Sequence, residues 1–129
     1  MIVDTSALAA IMLQEPDAFQ YPERISRAET CSMSAATFVE LSMVLVGQVG
    51  PQALRPCDEF IRDVGIWIEP LTVEHGRLAR EAFLNFGKGR HPAGLNFGDC
   101  FSYALAKSKN EPLLFKGRDF SRTDIQSAL

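Results

Sequence analysis

The sequence predicts an α/β fold of three layers, with helices on both faces of a short, mainly parallel central sheet. Short apolar runs of the length of buried strands alternate with longer segments whose apolar residues recur at helical spacing. Parallel strands joined by helices form right-handed β-α-β units, which place the helices on both faces of the sheet. The length of 129 residues and the hydrophobic content of 47% predict a single globular domain over residues 1–129.

Four strands are expected, and the first is short enough to be fully buried in a parallel sheet. The predicted strands cover residues 1–3, 30–33, 66–68 and 112–115. The predicted helices cover residues 7–13, 16–29, 35–49, 52–64, 72–86 and a last segment from Asp99 to about Asn110. Thr5 and Ser6 are both candidates to cap the first helix. Pro22 is expected to disturb the second helix, because proline lacks the backbone N–H.

Composition narrows the class of protein. The net charge is −3, which is unusual for a protein that binds duplex nucleic acid without sequence preference. No signal peptide is expected, since the first residues show neither a basic nor an apolar leader region, and the longest apolar run, residues 7–13, is too short to cross a bilayer. Cys31, Cys57 and Cys100 show no C-x-x-C spacing, which argues against a disulfide framework or a zinc site. We therefore expect a cytoplasmic protein that does not associate with membranes.

Four acidic residues fall where a parallel sheet forms its ligand crevice. Asp4 follows the first strand and Asp119 follows the last, while Glu40 and Asp99 lie at or near helix starts. Taken singly, Asp99 has the pattern of a helix cap and Glu40 that of a solvent-facing residue. The carboxyl ends of parallel strands and the helix starts share one edge of the sheet, so all four acids are expected to converge there.

Converging carboxylates need positive charge. Two unit charges about 4 Å apart repel by about 4 kcal/mol at an effective dielectric constant of 20. Mg²⁺ and Mn²⁺ prefer oxygen ligands and leave positions open for a phosphate, so the pattern indicates metal-assisted chemistry at phosphorus. No Ser–His–Asp or Cys–His arrangement competes, since His75 falls within a helix and His91 in a loop.

Four segments carry a resemblance to a known family. They are residues 1–7 (MIVDTSA), 36–41 (ATFVEL), 95–106 (LNFGDCFSYALA) and 113–120 (LLFKGRDF), the last followed by 123–125 (TDI). In this order and at these separations, the chain resembles the PIN-domain ribonucleases, and specifically the VapC-like toxins of prokaryotic toxin–antitoxin pairs. The resemblance implies a PIN-like α/β/α fold over essentially the whole length. Arg118 departs from the pattern, since relatives often carry an acid or Asn there.

The resemblance also assigns roles. It makes the four acids the catalytic and metal-binding set for Mg²⁺ or Mn²⁺: Asp4, Glu40, Asp99 and Asp119. Asp4 and Asp99 are expected to bind metal directly, and the other two directly or through water. The supporting residues are Thr5, Ser6, Asn96 and Asp124. Asp124 is expected to orient the metal ligands or to hold the local structure, with a place in the metal site itself as the alternative. The basic residues expected near RNA are Lys88, Arg90, Lys116 and Arg118, although the loop 87–96 also fits simple solvated charge.

The function implied by the resemblance is metal-dependent endoribonuclease activity on single-stranded or loop regions of RNA. The partners implied are a cognate antitoxin and a second copy of the chain. A catalytically inactive PIN-like module that binds RNA or acts as a scaffold is the alternative. A phosphatase with an aspartate nucleophile would need an acid where Ser6 stands. Structure-specific DNA cleavage would need a helical arch, for which the chain has no room.

Overall fold

The sheet of the protein is fully parallel and short. A computed structural model describes all residues 1–129. The strands are β1 (Ile2–Val3), β2 (Cys31–Ser34), β3 (Ile66–Glu69) and β4 (Leu113–Leu114), in the spatial order β3-β2-β1-β4. Ile2 pairs with Ser32 on one side and with Leu113 on the other. The predicted mainly parallel sheet is confirmed, and β1 occupies an interior position in it.

Six α-helices connect or follow the strands. They are α1 (Thr5–Met12), α2 (Gln20–Ser26), α3 (Ala35–Gln48), α4 (Leu54–Asp63), α5 (Val73–Phe86) and α6 (Phe97–Lys109), with 3₁₀ turns at Pro51–Ala53 and Phe120–Arg122. None of the helices is both long enough and apolar enough to cross a membrane. The last helix ends at Asn110, whose left-handed backbone closes it.

Each face of the sheet has its own hydrophobic core, which confirms the three-layer architecture. Val3 and Leu114 point into a core built mainly with α1 to α4. Their neighbours Ile2 and Leu113 point into a second core built with α5 and α6. Successive strand residues face opposite sides, and all four of these residues are fully buried. The strands β1 and β4 are therefore apolar on both faces, as buried parallel strands require.

Three local predictions are wrong, each for a physical reason. Thr5 and Ser6 do not cap α1, because Asp4 has the extended backbone of the cap position and its carboxylate accepts from the Ser6 N–H. The second helix is shorter than predicted and begins at Gln20. Pro22 does not disturb that helix, because it lies in the first turn, where backbone N–H groups have no helical partner.

Candidate active site

The four predicted acids line one cleft at the carboxyl edge of the sheet. Its volume is about 260 Å³. The polar and charged residues that line it are Asp4, Thr5, Ser6, Glu40, Asn96, Asp99, Lys116 and Asp119. The acids come from four different parts of the chain, namely the end of β1, the helix α3, the start of α6 and the segment after β4. The fold therefore brings together the quartet that the sequence predicted.

Asp4 is held at the bottom of the cleft with one oxygen engaged and one oxygen free. Its Oδ2 accepts from the backbone N–H of Ser6 at 2.9 Å and from the Ser6 hydroxyl at 2.6 Å. The residue is only 2% exposed, and its Oδ1 is buried without a hydrogen-bond partner. A buried carboxylate oxygen without a partner is costly, so this atom is placed to receive a cation.

Glu40 enters the cleft from α3 and is fixed by two neighbours. The Thr5 hydroxyl donates to Glu40 Oε2 at 2.5 Å. The other neighbour is Gly98, where an added Cβ would overlap the carboxyl group of Glu40. Burial raises the pKa of Glu40, the Thr5 hydrogen bond opposes that change, and the charge of Asp4 adds to it. Glu40 is thus a partly buried carboxylate facing the cleft and not a solvent-facing helix residue.

Asp99 has the two roles that its sequence position suggested. It is the third residue of α6, and its Oδ2 accepts from the Asn96 N–H at 2.8 Å. In return the Asp99 N–H donates to Asn96 Oδ1 at 2.9 Å, which completes a capping box. Asp99 also lines the cleft, so capping and cleft formation use the same side chain. Asn96 fixes the start of the helix and thereby the position of Asp99.

The electrostatics of the cleft converge on Asp99. Burial, with a smaller contribution from the charges of Asp4, Asp119 and Glu40, raises the pKa of Asp99 to about 7, against the lowering effect of the hydrogen bond from the Asn96 N–H. Without a cation, the folded protein therefore holds a proton at Asp99 over a pH range where an unfolded aspartate has lost it.

We expect the metal-free protein to lose stability as the pH rises from the unfolded pKa of Asp99, 3.8, toward its folded pKa of about 7. In this window the folded state binds more protons than the unfolded state, so the free energy of unfolding falls with increasing pH. Urea denaturation in EDTA across this range measures the effect. An Asp99→Asn variant should show a shallower decline, and parallel curves for the two proteins would contradict the expectation.

Asp119 and Lys116 complete the rim of the cleft. Asp119 follows the loop 115–118 and precedes the 3₁₀ turn after β4, and its side chain is exposed. The backbone N–H of Lys116 donates to the Ser6 hydroxyl at 2.9 Å, and its side chain ion-pairs with Glu15 and Asp17. Lys116 is the only basic residue that lines the cleft.

The other predicted residues lie outside the cleft lining. Asp124 accepts from the Tyr103 hydroxyl at 2.7 Å and from Lys107 Nζ at 2.8 Å. The hydrogen bond from Lys107 is the main cause that lowers the pKa of Asp124, and the residue ties the C-terminal segment to α6. The basic residues Lys88, Arg90 and Arg118 are exposed and do not line the cleft.

The residues fit a hydrated divalent cation better than a closed metal cage. No three Asp, Glu, His or Cys side chains are arranged to hold one ion directly. Mg²⁺ usually keeps several of its waters and binds through one or two carboxylates, so a pre-formed cage is not required. The free Oδ1 of Asp4, the raised pKa of Asp99 and the four carboxylates together favour such a cation.

An apolar groove of about 340 Å³ adjoins the acidic cleft. Glu40 and Asn96 line both spaces. The groove's apolar lining includes Met43 and Phe97, which are 71% and 82% exposed. Exposed apolar side chains grouped in one groove mark interaction sites, and this groove leads directly to Glu40.

Comparison with known proteins identifies the family. The model of the PIN domain matches residues 1–126. Ribonuclease VapC28 of Mycobacterium tuberculosis is 49% identical over 130 residues, covering 100% of this chain and 98% of the relative. Ribonuclease VapC42 of the same organism is 43% identical over 129 residues, covering 99% and 98%. The chain is a PIN-domain protein of the VapC ribonuclease family. The predicted family is confirmed.

Solved VapC structures share the fold of this PIN domain. The crystal structure of VapC20 from Mycobacterium tuberculosis, described as a sarcin–ricin loop cleaving toxin, matches with a TM-score of 0.78 and 19% identity, covering 96% of this chain and 95% of that one. VapBC2 from Rickettsia felis, solved bound to a DNA fragment from its promoter, matches with a TM-score of 0.71 and 16% identity, covering 98% and 94%. At these identities the likeness concerns the fold.

Sequence reasoning missed one residue of this PIN domain that shapes the cleft. Gly98 precedes Asp99 and packs against Glu40, leaving no space for a side chain. A signal was present, because glycine is unfavourable inside a helix and so indicates a packing reason. Glu15 and Asp17, which bind Lys116, gave no comparable signal, since they are distant from it along the chain.

Proposed function

We propose that this VapC-family protein is a divalent-metal-dependent endoribonuclease and the toxin of a toxin–antitoxin pair. The observation that carries the proposal is the meeting of Asp4, Glu40, Asp99 and Asp119 in one cleft, with Asp4 Oδ1 buried and unpartnered. The close relatives named ribonucleases support RNA as the substrate. Neither histidine lines the cleft, so the carboxylates are the groups available to hold and move protons there.

The residues divide the work of hydrolysis. Asp4 and Asp99 would hold Mg²⁺ or Mn²⁺, with Glu40 and Asp119 binding directly or through water. When bound, the ion would supply an activated water and stabilise the negative charge that develops on the phosphate. Glu40 would accept a proton from the attacking water, and its hydrogen bond from the Thr5 hydroxyl supports this role. Ser6 and Asn96 act indirectly, since they orient Asp4 and Asp99.

Two measurements on the wild-type protein test this proposal. RNA with single-stranded loops should be cleaved in the presence of Mg²⁺ or Mn²⁺ and remain intact in EDTA. Saturating Mn²⁺ should also raise the thermal midpoint, because an ion bound only by the folded state stabilises it, by about 2.7 kcal/mol at 100 times the dissociation constant. An unchanged midpoint together with intact RNA would contradict the proposal and favour the inactive RNA-binding or scaffold module.

The proposed partners follow from the same surface. A cognate antitoxin would bind in the apolar groove beside the cleft and place a basic side chain among the acids. The exposed Met43 and Phe97 and the shared Glu40 support this arrangement. A homodimer is proposed from the resemblance to VapC-like toxins. We propose a cytoplasmic location, which the three free, buried cysteines support, because a reducing compartment keeps such thiols unpaired.

A further inference from the structure

Lys116 lines the acidic cleft, but its side chain forms no ion pair with the four acids of the cleft. Its backbone N–H donates to the Ser6 hydroxyl, and that hydroxyl donates to Asp4 Oδ2. The main chain of Lys116 is therefore fixed one hydroxyl group away from the acid at the bottom of the cleft. The side chain lies at the rim, where it is 33% exposed.

Two carboxylates outside the acid quartet hold the ammonium group of Lys116. Nζ forms an ion pair with Glu15 and another with Asp17, the latter at 2.8 Å. Both acids lie in the segment that follows α1, and neither lines the cleft. The segment after β4 is thus tied to the segment after α1 across the rim of the active site.

A free lysine in this position would compete with a metal ion. Its charge is compact, and its flexible four-carbon stem lets the ammonium reach several partners. The four cleft acids repel one another, so an added positive charge among them is favourable. A single partly exposed ion pair restrains a lysine only weakly. Two carboxylates, those of Glu15 and Asp17, restrain Lys116 more firmly than one would.

We infer that Glu15 and Asp17 are positioning residues that hold the Lys116 ammonium outside the acid quartet, so that the quartet keeps its negative charge for a divalent cation. The part of this inference that concerns the cation rests on the proposed function. The part that concerns the position of Lys116 does not, and it is tested without metal or RNA.

The first experiment measures where the Lys116 ammonium lies. A zero-length carbodiimide reagent joins amines to neighbouring carboxylates, and mass spectrometry identifies the joined residues. In metal-free wild type, Lys116 should couple to Glu15 or Asp17. In E15Q/D17N it should couple to Asp4, Asp99 or Asp119. The D58N/E74Q variant loses two exposed acids that are outside the cleft lining, and it should keep the wild-type crosslinks. Failure of Lys116 to couple to any cleft acid in E15Q/D17N overturns the inference.

The second experiment measures Mn²⁺ binding by calorimetry. E15Q/D17N should bind Mn²⁺ at least threefold more weakly than wild type and than D58N/E74Q. Adding K116M to E15Q/D17N should restore the affinity, because the competing charge is gone. An affinity that stays low in the triple variant, or that does not fall in the double variant, overturns the inference. If wild type binds no Mn²⁺ while the crosslinks move as expected, the proposed function fails and the positioning of Lys116 stands.

Discussion

Replacing Asp99 with Asn is expected to reduce RNA cleavage by about 100-fold or more, at or above the upper end of the loss of about 10- to 100-fold seen when a group that only orients a metal ligand is removed. The same variant should be at least as stable as wild type in EDTA at neutral pH. The reason is that Asp99 is partly buried near three other acids, which raises its pKa, so its negative charge destabilises the metal-free fold. Loss of activity together with retained or increased stability is difficult to explain by misfolding.

The Asn substitution suits this test because we expect the local structure to survive it. In the capping box, Asp99 Oδ2 accepts from the Asn96 N–H, and the side-chain oxygen of Asn can accept the same hydrogen bond. Cleavage rates in Mn²⁺ and thermal midpoints in EDTA give the two results. If the variant cleaves RNA as fast as wild type, the activity belongs to a contaminant or to another site.

Replacing Gly98 with Ala is expected to slow cleavage by about 10- to 100-fold, as for other losses of an orienting contact at a metal site. The added Cβ would overlap the carboxyl group of Glu40, which must then move out of its hydrogen bond with Thr5. The backbone conformation itself is not an obstacle, because Gly98 has no positive φ. The loss would therefore report the position of Glu40 and not strain in the helix.

Gly47 offers a matched control in α3. An alanine Cβ there would meet no atom within 4 Å, and the residue is exposed without a positive φ. Gly47→Ala should keep full activity and stabilise the protein by up to about 1 kcal/mol, since alanine is the better helix former. Adding Gly98→Ala to Glu40→Ala should cause little further loss, because both changes act on one side chain. Equal cleavage by the Gly98→Ala and Gly47→Ala variants would contradict the proposed role of Gly98.

Much of the fold was predictable because strand length and apolar periodicity report burial directly. The predicted strands agree with the observed ones to within a residue or two. Their parallel direction follows from the helices that connect them. One error concerns which side chain caps α1. Asp4, Thr5 and Ser6 all have side chains able to cap α1, and the backbone at Asp4 decides which one does. For the second helix, composition alone does not show that Pro22 falls in the first turn.

The acidic quartet was predictable because topology places strand ends and helix starts at one edge. The contacts that hold the quartet in place were not. Glu15 and Lys116 form an ion pair although they lie 101 residues apart in the chain, and the periodicity of the sequence contains no information on such a contact. The cleft lining also excludes Lys88 and Arg90, whose positive charge had suggested contact with RNA. Charge in a loop predicts exposure, whereas the direction in which the loop projects depends on packing.

The position of β1 between β2 and β4 has a consequence for when the enzyme becomes active. Ile2 and Val3 pair with Leu113 and Leu114, so β1 acquires this neighbour only after most of the polypeptide has been synthesised. Domains are made from the N-terminus onward, and Asp4 leaves the ribosome long before Asp119 is added. A nascent chain that lacks Asp119 therefore lacks one acid of the proposed site, and we expect RNA cleavage from the completed chain alone.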